Sequence, residues 1–287
     1  MTPPISKAFL HRRSDTHKGD YGHILVVGGS IGLTGAPVLC AQAALRAGAG
    51  LVTLAVPESI YFIVASKLTE VMVHPLSEGS SGVLTGGALE QLRPLVKKVN
   101  CVAVGPGLSQ QPAAQHFVRK FLAIVHLPVV LDADGITAFA GRQRRQLAKV
   151  KGSLVLTPHP GEMARLLGIS TEAVQENRLK VARELARETR GVIVLKGHKT
   201  VVAAPIGKSY INQTGNPGMA TAGMGDLLTG IIAAFIGQGL DPFAAAKAGV
   251  YLHGLAGDIA ARRVGQASLI ASDVLAALPD AFRKVIR

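Results

Sequence analysis

The sequence contains no tryptophan and only two cysteines, and aromatic residues make up just 4% of the chain. Cys40 and Cys101 stand far apart in apolar contexts, so neither a disulfide framework nor a metal-site spacing is present. Two reduced, buried thiols are typical of a cytoplasmic protein, which is the localisation we predict. Because 48% of the residues are hydrophobic, Ala, Leu, Val and Ile must fill the core. Such a composition favours helices packed on a parallel sheet.

A long apolar run is also missing. The N-terminal residues MTPPISKAFLHRRSD contain no apolar signal region. The most apolar window, 227–240, is interrupted by Thr229, Gly230, Gly237 and Gln238 and falls short of the roughly 20 residues that a membrane span needs. We therefore expect a soluble protein without a membrane partner.

The net charge of +13 raises the possibility of a nucleic-acid partner. The basic residues are dispersed in short groups, however, and no aromatic residues are interleaved with them as a stacking platform for single strands requires. We expect no nucleic-acid binding. Solvated helix faces, and a field that attracts a small anionic substrate, explain the charge better.

Short runs of Val, Ile and Leu alternate with longer segments that have apolar residues three and four apart, which is helical spacing. The strand candidates are 23–29, 50–57, 101–107, 127–134, 152–158, 191–197 and 200–205. Apolar strands alternating with helices predict a parallel sheet covered on both faces. From Thr214 onward helices dominate, and no linker divides the chain. We predict one domain over residues 1–287, an α/β fold built as an αβα sandwich with a mostly parallel central sheet.

Several predicted strands end in polar or glycine-rich loops: GGSIGLTG, GPGLSQ, DADG, TPHPGE and KGHKT. In sheets of this kind, ligands bind where the carboxyl ends of strands meet helix N-termini. These loops are therefore the expected rim of an active site.

The segment TGNPGMATAGMGDLLTGIIAAF (214–235) carries the strongest chemical signal. Gly223 and Gly225 precede an apolar helical run, and the N–H groups and dipole of a helix start attract anions. Glycine lets a phosphate approach that backbone closely. Asp226 could simply cap the helix, but capping explains neither the number of glycines nor an acid beside a phosphate site. A general base for a hydroxyl that attacks phosphorus explains both.

NPGMATAGMGD resembles the phosphoryl-transfer motif of the ribokinase-like superfamily, and the whole chain resembles the ADP-dependent NAD(P)H-hydrate dehydratases. The match runs from HKGDYGHILVVGG through TGAPVLCAQAALRAGAGLVTLAVP, VGPGL, VLDADG, LTPHPGEMARLLG and VLKGHKTVV to NQTGNPGMATAGMGDLLTGIIAA. The resemblance implies a ribokinase-like fold. It also implies a lyase that repairs cofactors, converting the S epimer of hydrated NADH or NADPH back to NAD(P)H while ADP becomes AMP and phosphate.

The resemblance further implies roles for single residues. Asp226 is the expected catalytic base and a substrate contact. The expected anion hole consists of Gly223, Met224 and Gly225. The expected ADP- or AMP-binding residues are Lys196, Gly197, His198, Lys199, Thr200 and Gly225, and the further substrate contacts are Ala44, Gly107 and His159. Mg²⁺ is the expected cofactor and a homotetramer the expected assembly, while the metal ligands and the choice between ADP and ATP stay open.

Several motifs have simpler interpretations. KGHKT could be an exposed hairpin tip, and VGPGLS a plain turn. The helix dipole favours Glu162 in a first helical turn whatever its function, so we interpret it as structural. Asp132 and Asp134 in DADG could serve Mg²⁺ through water or merely start a turn.

Two other patterns are not interpreted as sites. GGSIGLTGA has its glycines spaced G-x-x-G-x-x-G, which is not the dinucleotide-binding fingerprint, although the loop fits a substrate cleft. His253 and Asp258 lie on an apolar predicted helix, where such a pair is usually structural.

Two rival functions remain at this stage. A ribokinase-like kinase for a vitamin-precursor alcohol would use the same acid and glycines but release a stable phosphorylated product. A basic nucleic-acid or nucleotide-sensing module would bind without turnover. About 16 residues precede HKGDYG, so we expect no fused epimerase domain.

Overall fold

The computed structural model describes residues 3–286. Its strands are β1 (His23–Val27), β2 (Leu51–Pro57), β3 (Met72–Leu76), β4 (Cys101–Val104), β5 (Val129–Leu131), β6 (Leu154–Leu156), β7 (Val192–Leu195), β8 (Val201–Ala203) and β9 (Ser209–Ile211). Its α-helices are α1 (Lys7–Leu10), α2 (Gly35–Arg46), α3 (Tyr61–Ala65), α4 (Ala88–Val96), α5 (Pro112–Ile124), α6 (Asp134–Thr137), α7 (Pro160–Leu167), α8 (Thr171–Glu176), α9 (Arg178–Thr189), α10 (Met224–Gly237), α11 (Pro242–Val264) and α12 (Ala271–Ile286).

All of these strands belong to one sheet in the order β3-β2-β1-β4-β5-β6-β7-β8-β9. The strands from β3 to β7 are parallel, whereas β8 and β9 continue the sheet as antiparallel strands. The prediction of a mostly parallel sheet is therefore confirmed. The carboxyl ends of β1, β4, β5, β6 and β7 meet at one edge, which is where the polar loops were expected to gather.

Helices cover both faces of the sheet. Alternate residues of a strand face opposite sides, so Ile24 and Val26 of β1 join one core while Leu25 and Val27 join the other. The first core includes residues of α2, α10, α11 and α12, and the second includes residues of α4, α5, α7 and α9. Burial on both faces is the reason that the central strands read as continuous apolar runs, and the predicted αβα sandwich is confirmed.

Helix α10 packs very closely on the sheet and on α2. A Cβ atom on Gly230 would lie 2.0 Å from the carbonyl oxygen of Cys40, and one on Gly237 would lie 2.3 Å from Cδ1 of Ile24. Ile24 stands at the start of β1, so the C-terminal end of α10 lies near the amino edge of the parallel strands. Its N-terminal end therefore lies at their carboxyl edge. Within residues 3–286, no helix combines the length and apolarity that crossing a bilayer requires.

Candidate active site

The loops that follow β1, β4 and β5 interlock at the carboxyl edge of the sheet. Gly29 N donates to the carbonyl oxygen of Pro106 over 2.9 Å, and Ser30 Oγ donates to the carbonyl oxygen of Gly107 over 2.9 Å. Ser109 N donates to Oδ2 of Asp134 over 2.9 Å. The loops predicted to form a rim are thus in direct contact, and the Asp134 side chain joins the loop after β5 to the loop after β4.

Asp132 is the centre of a buried polar cluster and is only 1% exposed. Its Oδ1 accepts from Thr157 Oγ1 and from Lys196 Nζ, each over 2.7 Å. Its Oδ2 accepts from Thr229 Oγ1 over 2.7 Å. We call these four residues the Asp132 cluster. They follow β5, β6 and β7 or belong to α10, so the cluster joins the ends of three strands to that helix.

The ammonium group of Lys196 lies between two acids and the first turn of α10. Its Nζ is 3.8 Å from Oε2 of Glu162, in addition to its contact with Asp132. A Cβ atom on Gly225 would lie 3.0 Å from the same Nζ. Burial opposes the charge of Lys196, but Asp132 and Glu162 outweigh burial and raise its pKa. Lys196 therefore carries a positive charge beside the glycines of the predicted anion hole.

Asp226 is the third residue of α10 and does not cap it. The N-cap is Gly223, whose φ of 87° places it in the left-handed region that favours glycine. Burial first, and then the negative charge of Asp132, raise the pKa of Asp226 to about 7, although Lys196 acts in the opposite direction. A carboxyl group with a pKa near neutral is suited to take up a proton at physiological pH. The general-base interpretation therefore fits the structure better than the cap.

His159 and Glu162 cap helix α7 reciprocally. His159 Nδ1 accepts from Gly161 N over 3.0 Å, and Oε2 of Glu162 accepts from His159 N over 2.8 Å. Because Nδ1 is an acceptor, the neutral ring carries its proton on Nε2. Burial and then Lys196 lower the pKa of His159, which keeps the ring neutral. The structural role of Glu162 is confirmed, but its contact with Lys196 also places it beside the site.

The KGHKT segment is the turn between β7 and β8, so the hairpin interpretation is correct for its outer part. His198 and Lys199 are exposed, whereas Lys196 points inward to the Asp132 cluster. Thr200 Oγ1 donates to the carbonyl oxygen of Gly197 over 2.9 Å. Sequence reasoning missed Arg178, which holds this turn by donating to the carbonyl oxygens of Leu195 and Lys196 over 2.9 and 3.1 Å.

Two predicted substrate contacts have different surroundings. Gly107 has a φ of 68° and lies on the rim, where a Cβ atom would meet the carbonyl oxygen of Leu33 at 2.6 Å. Ala44 is completely buried in α2, with its backbone N 3.0 Å from the position of a Cβ on Gly230. Gly230 is seven residues beyond Gly223, or about 10 Å along the helix. The structure does not bring Ala44 together with the other predicted site residues.

Helix α11 anchors the loop that leads to the predicted anion hole. Asp258 accepts from Gly215 N over 3.0 Å and from Asn216 Nδ2 over 3.1 Å. Thr214 Oγ1 donates to the carbonyl oxygen of Tyr251 over 2.8 Å. Burial lowers the pKa of His253 to about 4, so its ring is neutral. Asp258 therefore has the structural role that its position on an apolar helix suggested.

The side chains here do not form a protein cage for Mg²⁺. Among the residues described, no group of three His, Cys, Asp or Glu side chains could hold a metal ion. Both oxygens of Asp132 already accept hydrogen bonds from protein donors. Asp132 thus does not fit as a direct magnesium ligand.

Comparison with known proteins matches the family model described as NAD(P)H-hydrate dehydratase over residues 24–280. The chain is 53% identical to a bifunctional NAD(P)H-hydrate repair enzyme of Moorella thermoacetica, covering 96% of this chain and 52% of that one. It is 39% identical to the ADP-dependent (S)-NAD(P)H-hydrate dehydratase of Neisseria meningitidis serogroup B, covering 93% of this chain and 86% of the relative. The chain spans about half the length of the bifunctional relatives it matches.

A solved structure gives the same result at the level of the fold. The ADP/ATP-dependent NAD(P)H-hydrate dehydratase of Bacillus subtilis, co-crystallised with ATP and Mg²⁺, superposes with a TM-score of 0.82 at 29% identity. The superposition covers 99% of both chains. A hydroxyethylthiazole kinase of Pyrococcus horikoshii superposes with a TM-score of 0.60 at 15% identity, which is evidence of a shared fold alone.

Proposed function

Because the chain belongs to the NAD(P)H-hydrate dehydratase family, we propose that it converts the S epimer of hydrated NADH and NADPH back to NAD(P)H, with ADP as phosphoryl donor. One observation carries the proposal. Asp226, whose pKa is raised to about 7, lies on the first turn of α10 next to Gly225 and the charged Lys196. A base, an anion-binding helix start and a positive charge therefore occupy one place at the sheet edge.

The reaction begins with activation of the hydroxyl group on the hydrated nicotinamide ring. The Asp226 carboxylate takes the hydroxyl proton, and the oxygen attacks the terminal phosphorus of ADP, so that AMP leaves. The phosphorylated hydrate then expels phosphate from C6 as the ring nitrogen donates its electron pair, and loss of a proton from the neighbouring C5 restores the double bond of the dihydropyridine. The products are AMP, phosphate and NAD(P)H, and the protons lost from the hydroxyl group and from C5 pass to phosphate and to water.

The chain's residues support the phosphoryl transfer by charge and by preorganised N–H groups. The first N–H groups of a helix have no intrahelical acceptor, so the backbone of Gly223, Met224 and Gly225 is available to a phosphate. Such donors stabilise charge as it develops in the transition state. Lys196 neutralises phosphate charge beside them. The rest of the KGHKT turn, residues 197–200, is proposed to contact the adenosine part of the nucleotide.

Gly107 and His159 are the proposed contacts of the hydrated nicotinamide nucleotide. Gly107 is buried where the loops after β1 and β4 meet, and His159 follows β6. Its Nε2 lies 3.4 Å from Oε1 of Glu162, and the Nε2 proton of the neutral ring can be donated to a polar substrate atom beside that carboxylate. Half of the His159 side chain is exposed, so a ligand can reach the ring. Ala44 is not retained among these contacts because it packs against Gly230, in the middle of α10 and away from its first turn.

The metal ion, the extent of the domain, the cellular location and the assembly complete the proposal. Mg²⁺ usually keeps several waters and binds through substrate phosphates, so we expect it to accompany the nucleotide without a protein cage. We further propose that residues 1–287 form one dehydratase domain, that the protein is cytoplasmic and that it assembles as a homotetramer. Light scattering of the purified chain tests the assembly.

The test of the function uses chemically prepared hydrate, Mg²⁺, and either ADP, ATP or no nucleotide. Recovery of reduced-nicotinamide absorbance with ADP, together with formation of AMP and phosphate, supports the proposal. Recovery with ATP but not with ADP would show that ATP is the phosphoryl donor. A stable phosphorylated product without recovery would identify a kinase, and no reaction with any nucleotide would contradict the proposal.

A further inference from the structure

The ion pair between Asp132 and Lys196 is not explained by the stability of the fold. Asp132 is 1% exposed and the Lys196 side chain 17% exposed. Removing two charges from water is costly, and apolar residues of similar volume often stabilise a protein as well or better. Apolar residues of β5, β6 and β7 already fill the cores on both faces of the sheet. A carboxylate at position 132 therefore calls for another reason.

The position of the lysine head supplies that reason. Lys196 Nζ lies where a Cβ on Gly225 would come within 3.0 Å, against the first turn of α10. The start of a helix carries a partial positive charge, so an ammonium group is repelled there unless an anion holds it. Asp132 supplies the negative charge at 2.7 Å, and Glu162 adds to it at 3.8 Å.

Hydrogen bonds to both oxygens fix the orientation of the Asp132 carboxylate. Thr157 holds the same oxygen that binds Lys196, and Thr229 holds the other oxygen from α10. Because Thr229 belongs to α10, the carboxylate is tied to the helix whose first turn is the proposed phosphate site. The distance between the ammonium group and that turn is therefore set by Asp132.

We propose that Asp132 is a positioning residue: it holds the Lys196 ammonium group beside the first turn of α10, so that a positive charge is in place when a phosphate group binds. This inference rests on the proposed function. Asp132 acts through Lys196 and does not touch the substrate.

The negative charge of Asp132 also affects the pKa of Asp226, the proposed base. After burial, Asp132 makes the largest contribution that raises the pKa of Asp226; Lys196 lowers that pKa, and Glu162 and Asp134 raise it. Two further groups lie close by and are neutral. Burial raises the pKa of Cys40 on α2 and lowers the pKa of His253 on α11 to about 4.

The test compares the wild type with Asp132→Asn, which keeps the shape and removes the charge. We expect kcat to fall about 10- to 100-fold, the usual effect of losing a group that orients a catalytic one. Because Asn removes the negative charge that raises the pKa of Asp226 and leaves Lys196, which lowers it, the acid limb of the pH profile must move to lower pH. An unchanged limb, with only a loss of thermal stability, would overturn the proposal.

The matched control is Thr189→Val, since Thr189 is also buried and bonded through its hydroxyl to the carbonyl oxygen of Leu185. It lies outside the site. It should lower stability without moving the pH profile.

A double-mutant cycle tests whether Asp132 acts through Lys196. Lys196→Gln is compared with Asp132→Asn/Lys196→Gln, which removes both charges of the pair, so neither Asp132 nor Lys196 is left as a buried charge without the other. Both variants leave Glu162 without its cation, so this loss cancels in the comparison. The proposal predicts that the double variant matches Lys196→Gln in kcat within about twofold. If the double variant instead loses kcat by the product of the two single-variant factors, the two residues act independently and the proposal is overturned.

A last measurement separates this inference from the proposed function. If the wild type converts no hydrate with any nucleotide, the proposed function is wrong. The effect of Asp132 on Asp226 is then measured by ¹³C NMR titration of the Asp226 carboxyl group. A lower pKa of Asp226 in Asp132→Asn then supports the coupling. An unchanged pKa overturns it.

Discussion

Nζ of Lys196 occupies the space beside Gly225 that a larger residue would need: a Cβ atom on Gly225 would lie 3.0 Å from Nζ of the lysine. The absence of a side chain at position 225 lets the ammonium group rest on the first turn of α10. Gly225 belongs to the first turn of α10, whereas Lys196 follows strand β7. Their contact explains why a glycine stands inside a helix.

Gly225→Ala should separate activity from stability. The added methyl group forces Lys196 away by a few tenths of an ångström, and we expect kcat/KM for ADP to fall about tenfold because misplaced catalytic groups are costly. Stability should stay the same or rise, since Ala is about 1 kcal/mol better than Gly inside a helix. Gly86→Ala is the control, because a Cβ there meets nothing within 4 Å. Unchanged steady-state kinetics in Gly225→Ala would contradict the importance of this contact.

Asp226→Asn should greatly slow turnover while nucleotide binding persists. Loss of a general base costs about 10²- to 10⁴-fold in rate, whereas the backbone N–H groups and Lys196 remain. Calorimetric titration with ADP and assay of hydrate conversion check the two parts. Asp273 is the matched control, since it is the third residue of α12 as Asp226 is of α10. Asp273→Asn should retain turnover.

The pH dependence of kcat/KM should show an acid limb near pH 7. Asp226 acts as a base only when ionised, and burial, followed by Asp132, raises its pKa to about 7. Activity must therefore fall as the pH drops through that value. Initial rates from pH 5 to 9, with constant ionic strength, measure the limb. A limb near pH 4 would mean that the essential group is an ordinary carboxyl group or is absent.

The same pKa predicts that Asp226 destabilises the folded protein at alkaline pH. Its pKa is raised from 3.8 to about 7 on folding, so the folded state binds the proton more tightly than the unfolded chain does. The contribution of Asp226 is most favourable below pH 3.8 and is lost as the pH rises through 7. Asp226→Asn should thus raise Tm at pH 8, by about 2 to 4 °C for each kcal/mol gained.

Thermal unfolding at pH 8 and pH 5 distinguishes this origin from better packing. The gain in Tm should shrink at pH 5, where most of the native carboxyl group is already protonated. A gain of equal size at both pH values would have another cause.

The sequence predicts the layers of this fold well because strands that are buried on both faces of the sheet appear as continuous apolar runs. The strand candidates 23–29, 101–107 and 191–197 contain β1, β4 and β7, although they run on into the rim loops. The short strands β3 and β9 are not predicted, because their residues are partly exposed and lack a continuous apolar run.

The candidate site is only partly visible in the sequence. Local spacing identifies the helix start at Gly223 and the acid at Asp226, since these residues are close along the chain. The contacts of Asp132 with Lys196 and Thr229 span 64 and 97 residues. No local pattern can show such pairs, and the same sequence letters, DADG, fit a turn and a metal site equally well.

The most direct test of the account is the ratio of AMP formed to reduced nicotinamide recovered when the chain acts on the S hydrate with ADP. If Asp226 directs the substrate oxygen to the terminal phosphorus of ADP, the ratio is one at every time point, and Asp226→Asn slows the formation of both products by the same factor, about 10²- to 10⁴-fold. Recovery of reduced nicotinamide without AMP would contradict phosphoryl transfer as the step that makes the hydroxyl group leave.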